Sequence, residues 1–154
     1  MMSRHTATVS WSRGDAPFTD SRYSRAHTWR FDGGADIAAS SSPHSVPLPY
    51  SRADAVDPEE AFVASISSCH MLWFLSIAAK RGLRVESYDD EAEGFLEKDG
   101  DGRMSMTRVL LRPRVVFGGE HAASTADVAA MHDEAHRACY IANSVKTLIG
   151  CEPR

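Results

Sequence analysis

The stretch from Asp57 to Ile77, DPEEAFVASISSCHMLWFLSI, constrains the fold more than any other part of the chain. Asp57 suits a helix N-cap. Pro58 suits the first helical position, where no backbone N–H is needed, and Glu60 sits at N3, where a carboxylate reaches back to the cap N–H. The predicted helix runs to about Lys80–Arg81, two cations favourable in a last turn, and Gly82 stops it. Phe62, Val63, Ile66, Met71, Leu72, Trp73, Phe74, Leu75 and Ile77 surround nearly the whole cylinder, and a helix apolar on every side is buried on every side. The small run from Ala64 to Ser68 admits another backbone at close range. In a chain of 154 residues, part of the cover for such a helix is expected from a second subunit.

The flanking segments read mainly as strands. HTATVSW alternates small or polar residues with Ala7, Val9 and Trp11, RGDAP turns the chain, and RAHTWRF alternates again before the turn DGG. Residues 38–56 hold three prolines and five serines, which predicts a loop or a poor edge strand. LRVESYDDEAEGFLE, KDGDG and RMSMTRVLLRPRVVF predict a long hairpin closed by a Gly-containing turn, with Pro113 at an edge or bulge. A second helix is expected from Ser124 or Thr125 to Arg137, with Val128, Met131 and Ala135 on one stripe. CYIANSVKTLIG is read as its continuation after a kink, and Cys151 as part of a final strand or tail. Strands, buried helix, hairpin, helix is an α+β order, an antiparallel sheet packed on helices within one domain, 1–154.

Net charge of −4 and a pI near 5.9 argue against a nucleic-acid partner. No apolar run approaches the roughly 20 residues of a membrane span, and the N-terminus lacks the apolar stretch of an export signal. The expectation is a cytoplasmic protein without membrane or nucleic-acid partners. Three cysteines fall far short of a disulfide scaffold, so in that compartment they are free, catalytic or metal-bound.

Two of them, Cys69 and Cys139, lie in helical segments. Taken alone, each reads as a small apolar filler, a metal ligand or one half of a redox pair. A zinc reading uses His132 and His136, four apart on a helix, with Cys139 one turn later; its rival is a plain solvated helix face. A redox reading needs Cys69 as thiolate. Cys69 is about three turns into its helix, where the dipole helps little, so a cation must come from elsewhere; Arg52, in the preceding loop, is a candidate.

DPEEAFVASISSCHMLWF, with its Pro-Glu-Glu start and a cysteine ten residues after the first Glu, resembles the OsmC/Ohr family. So do the second cysteine after a late helix, with Asn143–Ser144 following, and the order of elements from about Thr6 to Lys146. The resemblance implies an OsmC-like α+β fold with a long buried central helix, in an intertwined homodimer carrying two sites. It implies a thiol-dependent peroxidase that reduces organic hydroperoxides to alcohols. No bound cofactor is implied, and an external dithiol or lipoylated protein is the expected reductant. Matched residue by residue, Cys69 falls on the peroxidatic position, Cys139 on the resolving position, Glu59 on the acidic partner and Arg52 on the loop arginine. In that scheme Glu59 holds the Arg52 guanidinium by a bidentate pair. Ten helical residues rise about 15 Å, so Glu59 and Arg52 are expected to serve the Cys69 of a partner subunit.

The chain departs from the family pattern in places. Tyr140 stands where a proline usually follows the resolving cysteine, and His70 where an apolar residue is commoner. Trp73 and Phe74 enlarge the apolar neighbourhood or are plain core. Cys151 has no counterpart, and Arg22 or Arg25 is an alternative to Arg52. The rival readings are a non-catalytic OsmC-like protein, redox-responsive or ligand-binding, and the zinc site on His132, His136 and Cys139.

Overall fold

The computed structural model describes residues 2–154. It has α+β architecture: three strands, a long helix, four strands, a second helix, a 3-10 turn and a last strand. The chain falls into two compact units, residues 1–61 and 62–154.

In the first unit, β1 (Ala7–Ser10), β2 (His27–Phe31) and β3 (Asp36–Ala39) form an antiparallel sheet in that order. The turn before β3 places Gly34 at φ 90°, a conformation that favours glycine. The serine- and proline-rich segment after β3 is built of turns, as its composition predicts. It returns to the sheet only where Ala39 and Val56 bridge.

The helix start follows its sequence signature. α1 spans Pro58–Lys80. The Glu60 N–H donates to Asp57 Oδ1 at 2.8 Å, and the Asp57 N–H donates to Glu60 Oε2 at 3.0 Å, a reciprocal capping box. Asp57 is buried, so Asp57→Ala should lower stability by about 1 kcal/mol, read as a lower urea midpoint at unchanged slope. At the other end Gly82 takes φ 71°, and the N–H groups of Leu83 and Gly82 donate to the carbonyls of Ala78 and Ala79. Those bonds satisfy two of the last free carbonyls of the helix.

In the second unit α1 carries two adjoining cores. Ile66 packs with Val109 and Leu111 of β6 (Met104–Leu111), flanked by Ile149 and Cys151 of β8 (Leu148–Cys151). Phe74, Ile77 and Ala78 pack with Met131 and Ala135 of α2 (Thr125–Ala138). Val85 and Tyr88 of β4 (Arg84–Asp90) and Val115 and Phe117 of β7 (Pro113–Gly118) close that second core. The long hairpin exists as two stacked ladders. β5 (Glu93–Lys98) pairs with β6 around the turn, and β4 pairs with β7 farther out. Pro113 begins β7 opposite Asp90, at the break between the ladders.

Three expectations change. Helix does not continue past Cys139: a single 3-10 turn, Ala142–Ser144, follows, and then β8. Val145, Thr147 and Ile149 are β-branched, and this favours the strand. The sheets are not wholly antiparallel, because β8 pairs parallel to β6. Finally, α1 is not buried on every side within this chain: Leu72 is 60% exposed, and Ala64, Ser65 and Ser68 are exposed beside it. By length and composition α1 is apolar enough to cross a membrane; here it packs on strands and α2, as a core helix does.

Candidate active site

Cys69 lies in the middle of α1 and is half-buried, whereas Cys139 is the buried C-cap of α2. Both are free, and Cys69 is among the groups near enough to raise the Cys139 thiol. Burial, and then the neighbouring Cys69, push the Cys139 thiol above its ordinary range. Cys139 also sits at the negative end of the α2 dipole, which opposes a thiolate there. Both effects favour the protonated form of Cys139.

The chain beyond α2 fixes that thiol. The backbone turns extended at Cys139, with ψ 114°, and the Ala142 N–H points at Cys139 Sγ across 3.4 Å. Asn143 Nδ2 donates to the Arg137 carbonyl at 3.1 Å and Ser144 Oγ to the Tyr140 carbonyl at 2.7 Å. The first satisfies a carbonyl that the end of the helix leaves free, and the second closes the turn beyond it. Tyr140 packs edge-on against Trp73, with centroids 5.5 Å apart. Trp73 is one helical turn after Cys69, so this contact ties the residue beside one cysteine to the helix face of the other.

The charged residues expected at the site arrange themselves differently. Arg52 does not fork onto Glu59; it forks onto Asp54, at 3.0 and 2.7 Å, and both partners are exposed. An acid two residues along the same turn is the partner nearest at hand. Glu59 instead lines a cavity of 480 Å³ in the first unit, together with Arg25. Trp11, Phe18 and Tyr23 form its aromatic wall. Tyr23 stacks on Phe18 at 4.6 Å and meets Trp11 edge-on at 5.5 Å. The Arg25 guanidinium lies 3.9 Å over the Tyr23 ring, and its Nη1 donates to the carbonyls of Ser21 and Tyr23. That leaves donors of its fork for a ligand. Ser41 also lines the cavity, and its hydroxyl is buried with no partner. Arg22 is exposed, outside the cavity lining.

The histidines separate as well. His132, His136 and Cys139 do not converge: His132 turns into the core, His136 is exposed, and Cys139 faces Cys69. The partner of His132 is His70, whose Nε2 stands 3.0 Å from His132 Nδ1. The two rings are nearly parallel, and His132 stacks on Phe74 at 4.3 Å. Burial pulls both histidines down to about 4 from an ordinary 6.5. An unfolded chain therefore binds up to two more protons than the folded one between those values. Stability is fully present above about pH 6.5 and falls as pH drops toward 4, by about 1.4 kcal/mol per pH unit for each proton. Urea midpoints should fall between pH 7 and 5, and a flat profile over that range contradicts the buried neutral pair.

The chain has relatives among known proteins. Residues 51–152 match the family model described as OsmC-like protein. Among curated proteins none matches. An OsmC-like protein of unknown function from Vibrio cholerae is 56% identical, with a TM-score of 0.97 over 99% of this chain and 100% of that one. An organic hydroperoxide resistance protein from Elizabethkingia anophelis, with thiocyanate bound, is 14% identical, with a TM-score of 0.72 over 99% and 95%. An organic hydroperoxide resistance protein of Bacillus subtilis is 16% identical, with a TM-score of 0.71 over 98% of each chain. The last two share the fold.

Proposed function

We propose, for a chain that belongs to the family of OsmC-like proteins, a thiol-dependent peroxidase that reduces organic hydroperoxides to alcohols. The observation that carries this reading is the approach of the Cys69 and Cys139 thiols at the end of α2. Two free cysteines brought near one another from α1 and the end of α2 suit a two-step cycle better than inert packing. The resistance proteins of the same fold support the choice of substrate class.

The Cys69 thiolate attacks the distal peroxide oxygen. The O–O bond breaks, the alkoxide takes a proton and leaves as alcohol, and Cys69 becomes a sulfenic acid. The Cys139 thiol then condenses with it, an S–S bond forms, and water leaves. An external dithiol or lipoylated protein reduces the disulfide and carries the two electrons into the cycle. No bound cofactor is required.

The cavity of the first unit supplies the recognition chemistry. Its aromatic wall suits the organic part of a hydroperoxide, and Arg25 and Ser41 offer donors to the peroxide oxygens. Glu59 lines it, ten residues before Cys69 on α1, a rise of about 15 Å. The cavity of one subunit would therefore serve the thiols of a second copy, and exposed Leu72 on an otherwise apolar helix fits a homodimer. Arg25 replaces Arg52 in this scheme, because Arg52 is engaged by Asp54.

Cys139→Ser tests the mechanism. One equivalent of cumene hydroperoxide should convert this variant to a stable Cys69 sulfenic acid, seen by mass spectrometry as one added oxygen or as its dimedone adduct. If Cys69 stays reduced while Cys151 is oxidised, the assignment fails. If no thiol reacts, the chain is a non-catalytic member of its family.

A further inference from the structure

The second unit contains a cluster that the proposed peroxidase cycle does not use. His70 of α1, His132 of α2 and Cys151 of β8 each bring a ligand atom within 4.8 Å of the others. We infer that these three residues form a built site for one thiophilic d10 cation, Zn²⁺ or Cu⁺, held by two imidazoles and a thiolate.

Four observations support the site. First, the three side chains come from three different elements and converge inside the unit, with His70 and His132 only 1% and 3% exposed. Second, the hydrogen bonding of the cluster is incomplete. His132 Nδ1 faces His70, but His132 Nε2 is buried with no partner. A neutral imidazole carries one proton and one lone pair, so one of the two goes unused here whichever tautomer is present. A buried polar atom without a partner is uncommon in a native core, and a bound cation would give this imidazole the partner it lacks.

Third, the donors suit the cation. A neutral imidazole offers a lone pair to a metal without losing a proton, and Cys151 is a free thiol. Binding exchanges that proton for the metal: the S–H bond breaks, an S–metal bond forms, and one H⁺ leaves to solvent. Two nitrogens and a sulfur are the donor set of borderline-soft and soft ions, not of Mg²⁺ or Ca²⁺. Fourth, the surroundings offset the added charge. Asp90 acts on both His70 and Cys151, and it is anchored by Ser67 Oγ and by the Arg112 N–H at 2.7 Å.

The geometry asks for little movement. Nitrogens about 2.0–2.1 Å from a tetrahedral ion lie roughly 3.3 Å apart, and the three ligand atoms here lie within 4.8 Å of one another. The sulfur has to close in by about an ångström, within the reach of side-chain rotation. Occupied, the site would clamp α1, α2 and β8 together without a ligand from Cys69 or Cys139.

The test uses the full chain carrying Cys69→Ser and Cys139→Ser, stripped of metal, so that the proposed redox pair cannot bind the probe. Zn²⁺, Co²⁺ as spectroscopic substitute, and Cu⁺ under anaerobic conditions are added separately. The expected result is one equivalent per chain for Zn²⁺ or Cu⁺. With Co²⁺, a near-ultraviolet sulfur-to-metal band should appear, and the bound cation should raise the thermal midpoint by roughly 5 °C. Adding Cys151→Ser should abolish the band and weaken binding at least about 100-fold, and His132→Gln should weaken it similarly. Competition between the two cations identifies which one the site prefers. Absence of stoichiometric binding by both cations, or equal affinity after Cys151→Ser, overturns the proposal. Circular dichroism on every variant separates lost binding from lost folding. The wild-type chain compared with Cys151→Ser alone repeats the test with the redox pair present.

Discussion

Cys69→Ser should reduce peroxidase turnover to the uncatalysed background, a fall of at least about 10³-fold, or about 4 kcal/mol in barrier height. A serine hydroxyl is protonated at neutral pH and is a poor nucleophile toward a peroxide oxygen, whereas a thiolate is a strong one. Serine matches cysteine closely in size, and position 69 is only half-buried, so the variant should fold. Steady-state alcohol formation from cumene hydroperoxide with excess dithiol measures the effect. Retained turnover in Cys69→Ser would move the nucleophile to another thiol and remove the basis for the cycle. Cys139→Ser should behave differently, with a first turnover close to wild type and later turnovers limited by direct reduction of the sulfenic acid.

The largest expected loss of stability is at Phe74. Its side chain is fully buried and stacks on His132 at 4.3 Å, with Tyr88 and Phe117 at 5.6 and 6.4 Å. Phe74→Ala removes that area and leaves a void between α1, α2, β4 and β7, since aromatic neighbours on three sides do not collapse into it. The expected cost is about 3–5 kcal/mol, a drop in thermal midpoint of roughly 10 °C. Loss of the Phe74 ring should also loosen the packing around His132. Urea denaturation followed by fluorescence measures the change. A cost below about 1 kcal/mol would show that the second core is not the one described.

The parts of the fold that sequence made legible are those written in local chemistry. The Asp57–Glu60 capping box, the Gly82 stop and the start of α2 at Thr125 each depend on residues within a few positions of one another, and each forms. The expectation that Cys69 and Cys139 act together comes from family resemblance alone, because seventy residues separate them and no spacing rule connects such distant positions. The strand β8 was hidden by the apolar run after Cys139, in which helix and strand patterns look alike over so few residues. The alternation of Val145, Thr147 and Ile149 was the available signal.

Arg52 misled for an electrostatic reason. An arginine in the right loop carries a charge but not a partner, and Asp54 stood two residues away as a competitor for it. Arg25 and Glu59 line one cavity although one precedes β2 and the other opens α1; they stand 34 positions apart, and no local pattern encodes the meeting. The pairing of His70 with His132 was out of reach for the same kind of reason: 62 residues lie between them, and each alone reads as an ordinary helix residue. Its only trace in sequence was a histidine on the most apolar helix of the chain, where an unpartnered imidazole would be costly.

A thiol count on the wild-type chain during a single turnover decides between a peroxidase cycle and an inert pair of cysteines. Fully reduced protein has three thiols. After one equivalent of cumene hydroperoxide, the account predicts rapid loss of two of them, one equivalent of alcohol, and a disulfide-linked peptide joining Cys69 to Cys139. Cys151 should remain reduced. Three thiols left untouched while the hydroperoxide persists would contradict it, as would a disulfide through Cys151.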